Sequence, residues 1–313
     1  MLRTQLSLAL VLSWCFLVGF GSGALASGPT YWGTPARGMS GAYTAAAGGI
    51  NGISYNPASS SSITDYEVTT DFTRFSQNNL DVTRGSMGAG MGTGLFTQAL
   101  AFNRTALNFG FDNFSLTTPG LNLNYNDNIL YYNASLQPFS SVRLGANAKY
   151  FSVRSDVENA NAIGYGADLG YQQFITKRVI FGISVLNLTA NREWDSGLTE
   201  EIPMHIRAGV RVRPIRGLAV EIDAVNDEIT GFNSVSGGVE WWLTRKVEET
   251  GRRVGLTFRG GVEFVQVGNK PRKFSAGVSF KTTVGEIHYA FVKNSNFNNQ
   301  QQFGLTLNFG KNR

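Results

Sequence analysis

Residues 202–213 read IPMHIRAGVRVR, and this stretch decides the fold of the chain. Every second residue is apolar, whereas His205, Arg207, Arg211 and Arg213 occupy the alternate positions. A period of two predicts a β-strand with one apolar face and one charged face.

The same alternation recurs from about residue 65 to residue 309 of the 313-residue chain. A soluble β-sandwich would bury its apolar faces, but here the pattern follows a secretory signal. We therefore predict an all-β fold: a transmembrane β-barrel of roughly fourteen antiparallel strands, apolar outside and polar inside. The predicted strands span residues 65–75, 94–103, 105–116, 128–138, 141–154, 161–174, 178–188, 202–214, 216–226, 233–243, 254–266, 272–282, 284–293 and 300–309.

The N-terminus has the features of a signal peptide, predicted to span residues 1–26. Arg3 precedes an apolar run over residues 6–20, and an Ala-x-Ala cleavage site follows at residues 24–26. A membrane helix is the alternative, but the run is short and ends in small residues. The only cysteine, Cys15, lies inside this signal, so the mature chain is expected to form no disulfide.

Composition excludes several classes of protein. The net charge is +5 and the basic residues are spread over strands, which argues against nucleic acid as a partner. No later segment approaches the roughly 20 continuous apolar residues of a membrane helix. The 37 glycines suit strand crossings and tight turns better than helices.

No pattern in the chain indicates catalysis, a metal site or a cofactor. His205 and His288 are the only histidines, and both face inward by strand phase. Glu286 and His288 are the closest approach to an acid–base pair. The glycines of 88–94 are not a phosphate cradle, because no helix follows them. We expect no enzyme activity, no metal ion and no cofactor.

Short and long connections alternate along the predicted strands, as in outer-membrane barrels with tight periplasmic turns and longer external loops. Residues 103–105 are predicted to form one of the tight turns, and 76–93 one of the long loops. The stretch 87–96, rich in Gly and Met, is a candidate apolar capture surface. Residues 244–253 are long where a short turn is expected. We interpret this basic connection as a solvated hairpin or a periplasmic contact.

Strand phase places charges of both signs inside the barrel, where they can neutralise one another and fill the lumen. The inward-facing charges include Arg207, Arg211, Glu221, Asp223, Glu240, Arg259 and Glu263. Such a lumen differs from a wide pore lined by one sign of charge.

Residues 27–64 do not alternate and precede the predicted barrel, residues 65–313. They are rich in small residues, which permit close packing in a confined space. The stretch from Ala36 to Tyr43 reads ARGMSGAY, and Tyr55 to Ala58 reads YNPA. We predict a plug that folds into the lumen, and a disordered tail is the alternative. Its candidate motif comprises Gly38, Gly41, Asn56, Pro57 and Ala58.

These two stretches resemble the N-terminal hatch of the FadL-like outer-membrane proteins, which include fatty-acid and aromatic-hydrocarbon transporters. The C-terminal third, with GVEW at 238–241 and HYAF at 288–291, is closer to the short PorV/PorQ-like branch. The resemblance implies fourteen strands with a luminal hatch, in the outer membrane of a Gram-negative-type bacterium. The last strand, 302–309, resembles the signal read by the barrel assembly machinery.

Two functions remain open at this point. The first is passive passage of a hydrophobic small molecule, such as a long-chain fatty acid, past the hatch. The second is a PorV-like docking role with a secretion-system protein as partner, favoured by the short, polar external connections. In both cases the outer face would contact outer-membrane lipid.

Overall fold

The computed structural model describes residues 31–77, 80–111, 121–227, 233–246, 253–265, 273–295 and 298–310. The predicted signal peptide, residues 1–26, and residues 247–252 of the basic connection lie outside the described residues.

Strands dominate the described residues. They are β1 (Tyr66–Gln77), β2 (Leu80–Gly92), β3 (Phe96–Phe111), β4 (Leu121–Phe139), β5 (Val142–Ser155), β6 (Ala162–Phe174), β7 (Val179–Trp194), β8 (Thr199–Glu201), β9 (His205–Val212), β10 (Leu218–Asp227), β11 (Asn233–Lys246), β12 (Arg253–Val265), β13 (Lys273–Lys281), β14 (Gly285–Asn294) and β15 (Gln300–Phe309).

Fourteen of these strands form a closed antiparallel barrel, which confirms the predicted fold. Each ring strand pairs with its neighbours in sequence, except that β7 pairs directly with β9. The short strand β8 pairs only with the end of β7 and lies outside the ring. The ring closes where β1 pairs with β15, from Tyr66 opposite Phe309 to Arg74 opposite Gln301. Closure pairs each of the fourteen ring strands on both sides, so the ring has no exposed sheet edge.

The predicted strand count is right, but several of the predicted boundaries are wrong; β4, for example, begins at Leu121 and not at residue 128. The supposed loop 76–93 contains β2, and the supposed strands 94–103 and 105–116 are one strand, β3. The glycines of β2 interrupt the alternation of apolar and polar residues that predicts a strand. Packing requires glycine at residue 88, because a Cβ there would lie 2.7 Å from Ile50 Cγ2. The predicted turn at 103–105 is regular strand, in which Asn103 is buried. Because one strand was missed and another was predicted as two, the predicted total of fourteen strands is still right.

The supposed capture surface at 87–96 is also wrong. Met87 and Met91 lie in β2 and point outward from the barrel, with 61% and 45% of their surface exposed. They belong to the apolar belt that surrounds the ring, as expected of a membrane-spanning barrel. Other side chains of this belt are Val68, Phe72, Leu100, Leu130, Tyr165, Leu169, Val210, Ile222, Phe258, Phe274, Ile287 and Phe303. No helix in the described ranges has the length and apolar character needed to cross a membrane.

Strand phase is as the sequence predicts in β9 and β10. Val210 and Ile222 are exposed on the outer face, whereas Arg211 and Asp223 are buried. The basic connection is shorter than predicted, because Thr244 pairs with Gly255 at the ends of β11 and β12.

Cysteine labelling would test the corrected strand β2. We expect Met87→Cys to react with a membrane-soluble maleimide and to resist a charged one, because residue 87 faces the apolar belt. Ser86→Cys, one residue away and buried inside, serves as the control and should not react with the membrane-soluble reagent. Labelling of Met87→Cys by the charged reagent alone would show that residues 76–93 form a loop and not strand β2.

The residues before β1 form a compact, mostly non-regular segment inside the ring, here called the luminal segment (residues 31–64). It contains one short helix, α1 (Thr34–Arg37), and 3₁₀ turns at Ile50–Gly52 and Pro57–Ser62. Its hydrogen bonds reach β1, β4, β5, β6, β7, β9, β10, β13 and β15, on all sides of the ring.

The apolar core lies between the luminal segment and the inner wall. On one side Trp32, Ile50, Ile53 and Ile63 pack against inward-facing side chains of β3, β4 and β5. These wall residues are Ala99, Ala101, Ile129, Tyr131 and Phe151. A second cluster, within the luminal segment itself, contains Ala36, Met39, Tyr43, Ala47 and Tyr55. The inner wall thus carries an apolar patch on β3–β5, next to buried polar side chains such as Asn133 and Asn147, and is charged toward β9–β12.

Candidate functional site: the interface between luminal segment and wall

Two buried carboxylates of β10 hold the backbone of the luminal segment. Asp223 accepts hydrogen bonds from the Tyr43 and Thr44 amides, both at 2.9 Å, and from Thr44 Oγ1 at 2.6 Å. Glu221 accepts from the amides of Ala45 and Ala46 at 2.8 and 3.0 Å. Because this stretch is not helical, its amides need acceptors from elsewhere once they are buried. The wall supplies them.

Strand β1 repeats this arrangement on another side of the ring. Asp71 accepts from the Thr34 amide at 2.8 Å and from the Thr34 hydroxyl. Glu67 accepts from the Ile50 amide at 2.6 Å. Carboxylates on two strands therefore hold the luminal segment at several points, through charge-assisted hydrogen bonds stronger than neutral ones.

Arg207 joins the wall to the luminal segment and the β10 carboxylates. Its guanidinium donates to the Gly41 carbonyl at 2.7 Å and to Asp223 at 3.0 Å. It also lies 4.8 Å from the centre of the Tyr31 ring and 5.1 Å from that of Tyr55. Such a cation over two aromatic faces is favourable, the more so where water is excluded. Burial raises the pKa of the Tyr55 phenol to about 12, which keeps this hydroxyl neutral.

Asn56 satisfies backbone groups on both sides of the interface. Its side-chain amide donates to the carbonyls of Thr44 at 3.0 Å and Tyr171 at 2.9 Å, the latter in the wall. Its oxygen accepts from the Ala58 amide at 3.1 Å and caps the 3₁₀ turn that begins at Pro57. Pro57 fixes its own φ and favours the extended conformation seen at Asn56.

The two glycines of the predicted motif have different environments. Gly38 lies against the wall, where an added Cβ would be 3.2 Å from Gly277 Cα and from Arg259 Cβ. Gly41 has φ +86°, a conformation that residues with a side chain rarely adopt.

The remaining predicted inward charges form ion pairs between side chains of β9, β11, β12 and β13. Glu240 lies between Arg211 and Arg259, at 2.6 and 2.7 Å from their nitrogens. Arg211 is also 3.7 Å from Glu221. Separately, Glu263 pairs with Lys273 at 2.5 Å. Each of the seven predicted charges therefore has a partner of opposite sign.

A second buried cluster was only partly visible in the sequence. Lys149 and Asp168 form an ion pair at 2.5 Å and are almost fully buried. Asp168 also accepts from the Asn187 amide at 2.8 Å and from the Asn147 side chain at 2.8 Å. Asn187, at φ +57°, lies where the β6–β7 register shifts. Alternation predicts that Lys149 and Asp168 face inward, but it carries no signal for the bulge at Asn187.

Neither histidine lies in a cluster suited to metal binding. Within the described ranges, no group of three or more His, Cys, Asp or Glu residues could hold a metal ion. His288 is 2.8 Å from Ser279 Oγ and 3.1 Å from Thr306 Oγ1, in the inner wall. The absence of enzyme activity stays a prediction.

Comparison with known proteins identifies the fold. The sequence matches no protein-family profile and no curated protein. The structure is similar to the CymD monoaromatic hydrocarbon channel, with a TM-score of 0.64 and 14% identity over 92% of this chain and 100% of that one. It is similar to the Pseudomonas putida toluene transporter TodX, with a TM-score of 0.64 and 12% identity over 90% and 98%. A Pseudomonas aeruginosa FadL homologue gives 0.60 and 12% over 90% and 99%.

At these identities the similarity defines the fold alone. The fold is that of a FadL/TodX-like outer-membrane barrel, as the resemblance of the N-terminal motif implies. The closer relation to the PorV/PorQ-like branch stays a prediction.

The motif at 56–57 can be tested by a double substitution. We expect Asn56→Ala with Pro57→Ala to leave the barrel assembled, because the closed strand ladder does not depend on this bend. The luminal segment should loosen, because several buried hydrogen bonds, each worth about 1 kcal/mol, are lost. Leak of small polar antibiotics into cells expressing the variant measures the effect.

Asn108→Ala is the matched control, because the Asn108 side chain is exposed and bonds only to Asn124 among the described residues. Equal antibiotic sensitivity of the double variant and this control would make the motif a passive linker.

Proposed function

We propose that the protein is an outer-membrane barrel through which a hydrophobic small molecule passes without energy input when the luminal segment is displaced. The similarity in fold to proteins described as hydrocarbon channels and toluene transporters supports the class of substrate. The finer proposal, drawn from the hatch resemblance, is a long-chain fatty-acid-like substrate.

One observation carries the proposal: the large apolar contacts of the luminal segment with the wall lie toward β3–β5, whereas its contacts with wall carboxylates lie on β1 and β10. Toward β3–β5 the wall presents Ile129, Tyr131 and Phe151 to Trp32 and Ile53. Displacement of the luminal segment would uncover this apolar surface. A hydrophobic molecule could then pass along it, away from the charged side chains on β9–β12. The segment itself belongs to none of the barrel strands, so it can move without breaking the ring.

Uptake measurements test this function. Cells expressing the protein should take up a labelled long-chain fatty acid or a labelled monoaromatic hydrocarbon faster than cells with an empty vector. The ratio of the two rates would identify the preferred class. Equal uptake by both strains for both compounds would remove the proposal.

The proposal also names partners and a location. Outer-membrane lipid would contact the apolar belt, and the barrel assembly machinery would recognise the last strand, 302–309. The location would be the outer membrane of a Gram-negative-type bacterium. Docking of a secretion-system protein stays the alternative prediction, and a stable protein partner after purification would favour it.

A further inference from the structure

A small recess lined by aromatic, polar and charged side chains lies between the start of the luminal segment and strands β1, β2, β3 and β15. Its enclosed part, about 10 Å³, has room for one water-sized group. The side chains around it include Tyr31, Trp32, Arg37, Asp71, Arg84 and Asn103.

Two arginines line this recess, and Asp71 carries the one carboxylate among the side chains around it. Neither Arg37 nor Arg84 forms an ion pair with a carboxylate of the described part of the chain. The Nε atom of each is buried and has no hydrogen-bond partner. Arg37 repels Arg84 and Asp127 attracts it, but Asp127 is already paired with Arg192 at 2.8 Å. Both side chains are half-buried, and cations partly removed from water are normally paired, because the loss of hydration is costly.

Asp71 does not neutralise this pair. Its carboxylate is directed to the Thr34 amide and hydroxyl, with Ser86 and Gln302 at 3.4 Å. Counting Asp71, the side chains around the recess still carry one net positive charge. The oxygen of the Asn103 side chain is likewise buried without a partner. Rotation of this amide by 180° would present its NH₂ group as a donor to the recess.

We propose that the recess takes up one anionic oxygen of a carboxylate or phosphate group between Arg37 and Arg84, with the rest of the group at its open side. The guanidinium group offers N–H donors in a planar fork that matches such oxyanions. The anion would supply the missing negative charge and accept the two unused Nε–H groups. It can arrive as the head group of an amphiphile or as a free ion. The inference rests on the recess and not on transport.

Calorimetric titration of the purified barrel in a non-ionic detergent tests the site. The probes are acetate, inorganic phosphate and decanoate, with decanol as the neutral analogue of decanoate. We expect at least one anion to bind. Its affinity should fall at least tenfold in Arg84→Gln and in Arg37→Gln, and decanol should bind all forms equally.

Arg104→Gln is the matched control, because Arg104 lies on the neighbouring strand β3, is exposed, and is absent from the recess. Heat-dependent gel mobility shows which variants form a barrel. If Arg84→Gln does not, Arg37→Gln decides, because Arg37 lies outside the strand ladder.

Acetate or phosphate binding would support a free ion as the source, and binding of decanoate alone would support a head group. The proposal is overturned if the wild-type protein binds none of the three anions, or if both glutamine variants bind them with wild-type affinity. Because the readout is binding, failure of the uptake experiment would not change this result.

Discussion

Asp223→Ala is expected to release the luminal segment from the wall while the barrel stays assembled. The substitution removes acceptors for Tyr43 and Thr44 and leaves Arg207 buried, with 4% of its side chain exposed, without its carboxylate partner. Breaking such a buried pair costs about 3–5 kcal/mol. Trypsin should then cleave after Arg37 in the folded variant but not in the folded wild-type protein.

Asp81→Ala provides the control for this experiment. Asp81 also pairs with an arginine, Arg74, but both side chains are largely exposed, so the pair is worth little. We expect this variant to resist trypsin at Arg37 as the wild-type protein does. Resistance of Asp223→Ala to trypsin would show that the other contacts hold the luminal segment without Asp223.

Gly261→Val is expected to displace the luminal segment by direct collision. A Cβ at residue 261 would lie 2.3 Å from the carbonyl carbon of Met39, which is backbone and cannot rotate away. The wall cannot yield either, because Gly261 is paired with Gly238 on one side and Ser275 on the other. Overpacking typically lowers the free energy of unfolding by about 1–3 kcal/mol. Because the added side chain meets backbone, we expect this variant to lie near the upper end of that range. Single-channel recording should show frequent openings that the wild-type protein lacks.

Gly260→Val separates this collision from a general effect of valine in β12. Residue 260 has the opposite phase, and its nearest neighbour to an added Cβ is 3.9 Å away. We expect its recordings to match those of the wild-type protein. Similar openings in both variants would assign the effect to the strand rather than to the luminal segment.

The sequence predicts the barrel well where the strands alternate and poorly where they do not. In β9 and β10 charged residues recur at alternate positions, so the phase follows directly and the boundaries agree within three residues. In β2 the inner face carries Gly88 and Gly90, which leave room for Ile50 and Ile63 of the luminal segment. The need for glycine there comes from contact with a segment distant in sequence, so local strand preferences do not reveal it.

The interface was less predictable than the ring. Strand phase shows that Glu221 and Asp223 face inward, but not that they bind the backbone of residues 43–46. Backbone amides occur in every sequence and carry no signal of their own. Asp71 was missed because nothing in the sequence marks it as the acceptor of the Thr34 amide. The two unpaired arginines of the recess emerge only when segments distant in sequence meet.

Movement of the luminal segment is the central claim, and a reversible cross-link tests it most directly. Ser40 Oγ and Ser275 Oγ lie 2.8 Å apart, so cysteines at both positions are within reach of a disulfide. The only natural cysteine, Cys15, lies in the predicted signal peptide. Ser40→Cys and Ser275→Cys together should join the luminal segment to β13.

Uptake of a labelled hydrophobic compound by this double variant is then measured before and after reduction, with each single variant as control. We predict that the oxidised protein takes up no more than an empty control, and that reduction restores uptake to the level of the single variants. Wild-type uptake by the fully cross-linked protein would contradict the claim, because passage would then occur with the luminal segment in place.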